Sequence, residues 1–199
     1  DLIVAPKAEV LIDSTELGVG AYYRYNQAPS AMLTFTSAIG DVDLFGEGVV
    51  QYGSDKTFVV EESSVYSLET YDDKLFFKAT LGASYMWNHE ESDFSISASG
   101  QYYYNGEGYD DPTILTDGMG AVFVASSIAS EDLAVNDLME SSKHYGAANL
   151  TVTLVEDLSF GVFWLGNFND LSGMLSPSIS WQATDYVSLG FSLPWNYGD

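Results

Sequence analysis

From Leu75 to Trp87 the residues alternate without a break. Leu75, Phe77, Ala79, Leu81, Ala83, Tyr85 and Trp87 fall on one face, and Phe76, Lys78, Thr80, Gly82, Ser84 and Met86 on the other. A period of two is the mark of a β-strand, whose successive side chains point to opposite sides. After a polar connection, Asn88 to Ser92, the pattern resumes with Phe94, Ile96, Ala98, Gly100, Tyr102 and Tyr104 opposed by Ser95, Ser97, Ser99, Gln101 and Tyr103. The two segments predict a long β-hairpin with one apolar and one polar face. Strands of ordinary globular domains run to about five or six residues, whereas a strand tilted across a bilayer needs about nine to eleven. Both segments reach the longer length.

The same grammar recurs toward the C-terminus. Leu150, Val152 and Leu154 lead to a turn at Val155-Glu156-Asp157, and Phe160, Val162 and Trp164 return. Leu175, Pro177, Ile179 and Trp181 then oppose Ser176, Ser178, Ser180 and Gln182, and after Ala183 to Asp185 the chain comes back through Val187, Leu189, Phe191, Leu193 and Trp195. Near the N-terminus Leu17, Val19, Ala21, Tyr23 and Tyr25 alternate with Gly18, Gly20, Tyr22 and Arg24, and Val42, Leu44, Val50 and Tyr52 with Asp43, Glu47 and Gln51. Gly46 and Gly48 interrupt the apolar face of that strand and predict a bend or bulge. Residues Ala31 to Ser37 read as a shorter strand. Lys56 to Glu69 fits worst, because Phe58, Val60, Tyr66 and Leu68 share a face with Glu62; a bulge, or an extension beyond a membrane, would account for it. Short turns between strands of similar length make an antiparallel up-and-down meander of about 10–12 strands the economical topology for one domain over residues 1–199.

One connection is long. Residues 105–143 open on Asn105-Gly106 and carry Glu107, Asp110, Asp111, Asp117, Glu131, Asp132, Asp137 and Glu140. Ser130-Glu131-Asp132-Leu133 has the form of a helix start, with a serine cap and acids in the first turn, continuing toward Met139. The apolar run Gly120 to Ile128 predicts packing rather than exposure, and a connection of this length with structure of its own is usually functional.

What would tolerate such strands decides the class. A sandwich whose outer face meets water normally carries Lys, Glu and Arg there in quantity. Here the polar face is mostly Ser, Thr, Gly, Asn, Gln and Tyr, with the charges banked in turns; charged residues are only 18% of the chain and aromatics are 15%. In lipid every backbone donor and acceptor must be paired, so β structure there has to close on itself. No uncharged apolar run is long enough for a membrane helix. On the strength of Leu75 to Tyr104 and Leu150 to Trp195 the chain resembles Gram-negative outer-membrane β-barrels of the porin-like kind. That resemblance implies an all-β, antiparallel, up-and-down transmembrane β-barrel in the bacterial outer membrane, with the lipid bilayer as partner. Such barrels typically end on a C-terminal aromatic, whereas this sequence ends Trp195-Asn196-Tyr197-Gly198-Asp199; either the closing strand lies elsewhere or the chain is part of a larger barrel.

A net charge of −23, from 29 acids against 6 bases, argues against nucleic acid and makes cations the natural mobile partners. With no cysteine, disulfides, thiolate metal sites and thiol catalysis are excluded. Arg24, Asp43, Glu47, Lys78 and Gln101 fall on polar faces and would line a lumen, where rings of charge select ions by sign. The competing reading of the same residues is a set of internal ion pairs plugging a narrow barrel, helped by Tyr22, Phe45, Phe76, Tyr103 and Phe163. Glu107, Asp110 and Asp111 are the candidates for cation binding in the loop, although their spacing lacks the alternating ligands of a dedicated calcium loop. His144 with Ser141 and Ser142, and His89 with Glu90 and Asp93, are the groups to weigh for catalysis. No GxSxG, HExxH, Walker A or GxGxxG pattern accompanies them, so the expectation is no enzyme and no cofactor. The leading expectation is a porin-like channel for passive passage of small solutes, preferring cations and compatible with a homo-oligomer. The alternative is a non-conducting structural or partner-binding barrel with cation-binding acidic loops.

Overall fold

A computed structural model describes residues 2–155 and 157–198; Asp1, Asp199 and Glu156 of the turn noted above lie outside the described residues. The strands are β1 (Ile3–Val4), β2 (Lys7–Ile12), β3 (Thr15–Arg24), β4 (Ser30–Ile39), β5 (Val42–Tyr52), β6 (Thr57–Glu62), β7 (Val65–Thr70), β8 (Leu75–Asn88), β9 (Ser95–Asn105), β10 (His144–Val155), β11 (Leu158–Asn167), β12 (Gly173–Thr184), β13 (Val187–Ser192) and β14 (Trp195–Tyr197). Helix α1 (Gly118–Ala129) lies in the connection between β9 and β10.

Twelve strands form one antiparallel sheet in the order β3-β4-β5-β8-β9-β10-β11-β12, with β1 and β2 both on β3 at one edge and β13 and β14 both on β12 at the other. Each edge is one strand broken in two. Pro6 separates β1 from β2, and Pro194 separates β13 from β14; proline donates no ladder hydrogen bond and is tolerated at edges. The hydrogen-bonded order does not return on itself. The expected closed barrel is therefore corrected to an open twelve-stranded sheet, whose first and last strands are not paired with each other.

The pairing register fixes the two faces. In the strands of this sheet every Asp, Glu, Lys and Arg, namely Lys7, Glu9, Glu16, Arg24, Asp43, Glu47 and Lys78, falls on one face. The other face carries Val19, Leu33, Val50, Phe77, Leu81, Leu150, Val162 and Phe191, and it is not covered: Leu33 is 62% exposed, Leu81 58% and Phe191 64%.

Several local expectations change. β5 keeps an unbroken register with both neighbours, so Gly46 and Gly48 make no bulge. The ring of Phe35 lies across Gly46 and occupies the space a Cβ would need. The register shifts occur instead beside turns, between Thr153 and Val155 and between Gln182 and Thr184. The strand read as 31–37 runs from Ser30 to Ile39, held between β3 and β5. Lys56 to Glu69 leaves the sheet as the separate β6–β7 hairpin. The helix ends where it was expected to begin: Ser130 is its C-cap and Glu131 turns left-handed at φ 64. The run Gly118–Ala129 forms the helix because it is an unbroken series of small and apolar residues, whereas Leu133 is withdrawn into a core.

That core is small and lies off the sheet. Val59 of the hairpin, Leu115, Val124 of α1 and Leu133 are buried together, with Tyr66, Leu68, Tyr109, Phe123 and Leu138 packed around them. The hairpin and the 106–143 connection thus make a cap at one rim of the sheet. The opposite rim has tight turns, including Asp13-Ser14 and Gly40-Asp41, where Asp13 and Gly40 adopt the positive φ that hairpin turns require.

Candidate functional site

Two regions carry the polar chemistry: the charged face of the sheet and the junction between that face and the cap. Across the face, register aligns Thr34, Glu47, Thr80, Tyr103, Tyr145 and Asn167 in one row. The next row is Thr36, Phe45, Gly82, Gln101, Ala147 and Leu165. The ring of Phe45 covers Gly82, so the middle of the face is partly filled by an aromatic side chain. Arg24, Asp43, Glu47, Lys78 and Gln101 all lie on this face, but in different rows: Arg24 ends β3 at the capped rim and Asp43 sits near the tight turns. They do not form a ring of charge.

At the junction, Asn105 is wholly buried as the last residue of β9. Its amide Nδ2 donates to the Glu140 carbonyl at 2.7 Å, and its Oδ1 accepts from the Glu107 backbone N–H at 3.1 Å. Gly106 donates its N–H to the Phe77 carbonyl at 2.9 Å, an approach that leaves no room for a Cβ. These bonds turn the chain sharply back over the face it has just left and bury Glu107. The Glu107 carboxylate accepts a hydrogen bond from Ser54 Oγ and meets Lys78 Nζ at 2.5 Å. Beside it Phe58 of the hairpin stacks on Phe76 of β8, with ring centroids 5.7 Å apart and planes 5° from parallel, and Lys74 Nζ sits 4.7 Å from the Tyr71 ring centroid. The cap is therefore seated on the polar face, over Phe76 and Lys78. Burial within it lowers the Lys56 ammonium from its ordinary value and raises the Tyr109 phenol, whose oxygen accepts the Val59 N–H at 2.8 Å.

The three loop acids are not gathered. Glu107 is spent on Lys78 and Ser54; Asp110 meets Lys143 Nζ at 2.6 Å. Asp111 accepts from the Thr113 hydroxyl at 2.5 Å and backbone N–H at 3.0 Å, which hold its carboxyl below the usual range. Among the described residues no group of three His, Cys, Asp or Glu is placed to hold a metal ion; Glu107, Asp110 and Asp111, the loop acids expected to bind cations, each make a separate contact within the protein.

His144 lies on the apolar side of the sheet, its Nδ1 2.5 Å from the Tyr102 hydroxyl. Ser142 faces elsewhere, wholly buried, with its Oγ accepting from Asn167 Nδ2 at 2.7 Å. His89 accepts the Glu91 N–H at 3.2 Å at the opposite rim. Among the described residues neither histidine side chain is hydrogen-bonded to a serine. Ser54 carries no sequence signal, and Asn105 and Glu140 stand out in the sequence only as the opening of the long connection and one of its acids; the Asn105-Gly106 pair marks the sharp turn that joins them.

No protein-family model, curated protein or solved structure matches the chain.

Proposed function

We propose that the sheet is the wall of an outer-membrane β-barrel and that its polar face lines a pore for small solutes with a preference for cations. The observation that carries this is the segregation of charge: all seven Asp, Glu, Lys and Arg residues in the strands of the twelve-stranded sheet lie on one face, while the other is apolar and exposed. In water, so large an apolar surface would drive aggregation; against lipid it is stable. Its dimensions agree with a bilayer. From Phe77 to Trp87 on β8 the rise is about 33 Å along the strand, or about 25 Å across the membrane at a tilt near 40°. Aromatics gather toward its two ends: Tyr23, Tyr52 and Tyr104 toward the capped rim, and Tyr85, Trp87 and Trp181 toward the other. Closure, by the two edges or by further strands, is part of the proposal.

Cation preference follows from where the acids sit. Segments 53–74 and 106–143 hold 14 acids against three lysines, and the opposite rim adds Asp13, Asp41, Glu90, Glu91, Asp93, Asp157 and Asp185 without a basic residue. Negative potential at both mouths concentrates cations.

One observation favours a second reading. Phe76 and Lys78 are covered by the cap, which suits a barrel sealed at that end and serving as a structural or partner-binding element. Planar-bilayer recording on refolded, detergent-purified protein separates the two. Stepwise currents with K+ favoured over Cl− support the pore; a folded, inserted protein that passes no current supports the sealed barrel.

A further inference from the structure

Between the cap and the polar face lies a cavity of about 350 Å3 lined by Thr80, Gln101, Tyr103, Glu140, Tyr145 and Leu165. Tyr103 and Tyr145 are cross-strand partners whose rings lie 6.0 Å apart and 24° from parallel, making an aromatic wall. Glu140 supplies the only carboxylate of the lining. Its backbone is pinned: it adopts φ 52, its carbonyl accepts from Asn105 Nδ2 at 2.7 Å, and the preceding Met139 carbonyl accepts from Lys56 Nζ at 2.9 Å. The pinned backbone delivers the carboxylate to the aromatic wall, where Oε2 accepts the Tyr103 hydroxyl at 3.2 Å. Among the described residues Glu140 makes no ion pair: Lys78 and Lys143 are spent on Glu107 and Asp110, and Lys56, which feels the Glu140 charge, gives its ammonium to the Met139 carbonyl. Glu47 lies in the same row as Tyr103, two strands away, and adds a second negative charge to the approach.

We infer that this cavity binds an organic cation, an ammonium head with a small apolar body. The ring faces and the carboxylate attract the positive charge together, and Leu165 and Ala147 receive the hydrocarbon part. A neutral polyol satisfies the hydroxyl and amide of Thr80 and Gln101 but gains nothing from the Glu140 charge or from the ring faces. The assignment rests on the reading of the polar face as an interior that solutes reach, and names the class of solute held there.

The test is calorimetric titration of the full chain, refolded in detergent micelles at low ionic strength, with choline and with its neutral isostere 3,3-dimethyl-1-butanol. Far-UV circular dichroism and heat-dependent gel migration verify the fold of each variant. Choline binds, the isostere does not, and Glu140→Gln and Tyr145→Leu each weaken choline about tenfold. Asp185→Asn, which removes a charge of the same sign at the far rim, leaves choline binding unchanged. The inference is overturned by absence of choline binding, by equal binding of the isostere or of glucose, or by an unaltered Glu140→Gln. Conductance recorded on the same preparation keeps the two readings apart: current without choline binding removes the site alone, and choline binding without current removes the pore alone.

Discussion

Lys78 Nζ and Glu107 Oε2 lie 2.5 Å apart, one projecting from the polar face of β8 and the other, 4% exposed, from the first turn of the cap. Beside the stacked rings of Phe58 and Phe76, this contact ties the cap to the sheet, while the buried cluster of Val59, Leu115, Val124 and Leu133 is internal to the cap.

Removing one partner leaves the other charge uncompensated. Glu107→Ala should lower unfolding free energy by about 2 to 3 kcal/mol, with Lys78 a quarter exposed and so partly screened. Replacing both, as Lys78→Met with Glu107→Leu, should recover most of that loss. Urea titration of the three variants in detergent measures the cycle; additive losses would show that the two residues do not act as a pair.

Leu133 is 2% exposed at the centre of the cap. Leu133→Ala should cost about 2 to 5 kcal/mol locally and open the cap while the sheet persists. Limited proteolysis would then cut within 106–143 of the variant at protease levels that spare the wild type, with the β signal of circular dichroism retained. Joint loss of both would mean that cap and sheet unfold as one unit.

Mid-strand charge distinguishes the faces. Leu81→Arg on the apolar face should cost about 2 to 4 kcal/mol in a bilayer, as for an arginine at the midplane of a membrane barrel. Ser97→Arg on the polar face should be tolerated. Folding yields into lipid vesicles read the difference, and equal yields would count against a lipid-facing surface.

The Tyr71 hydroxyl donates to Glu69 Oε2 at 2.6 Å; that bond first, then burial and the Glu69 charge, push the phenol up to about 12. A raised folded-state value means that the neutral phenol stabilises the fold. The contribution is whole below the ordinary value near 10 and is lost as pH rises through about 12. Absorbance titration at 295 nm should show a late tyrosinate step that Tyr71→Phe removes; an unchanged late step would assign it to another tyrosine.

The sheet was legible because alternation is local. Leu75 to Trp87 and Phe94 to Tyr104 were read within one residue of β8 and β9, since each side chain's face depends only on its parity in the strand. Where parity failed, at Lys56 to Glu69, the hairpin leaves the sheet and its side chains pack in two directions at once. The helix was misplaced for a different reason. The acids after Ser130 look like a first turn, yet the apolar run before them, whose Val124 enters the cap core, forms the helix.

By itself, then, the sequence determined the strands, their antiparallel succession and the separation of charged from apolar faces, because these follow from the two-residue repeat of an extended chain. Only the tertiary structure decided what the acids do. Glu107, Asp110 and Glu140 sit in one loop with the same charge and similar neighbours in sequence. The turn at Asn105-Gly106 buries the first against Lys78, the second finds Lys143, and the third is left beside two tyrosines from adjacent strands. Partners 29 to 37 residues away in the chain are set by how the cap seats on the sheet, and no local pattern encodes that placement. The open order of the sheet is likewise a property of its two edges, each broken by a proline that alternation alone passes over.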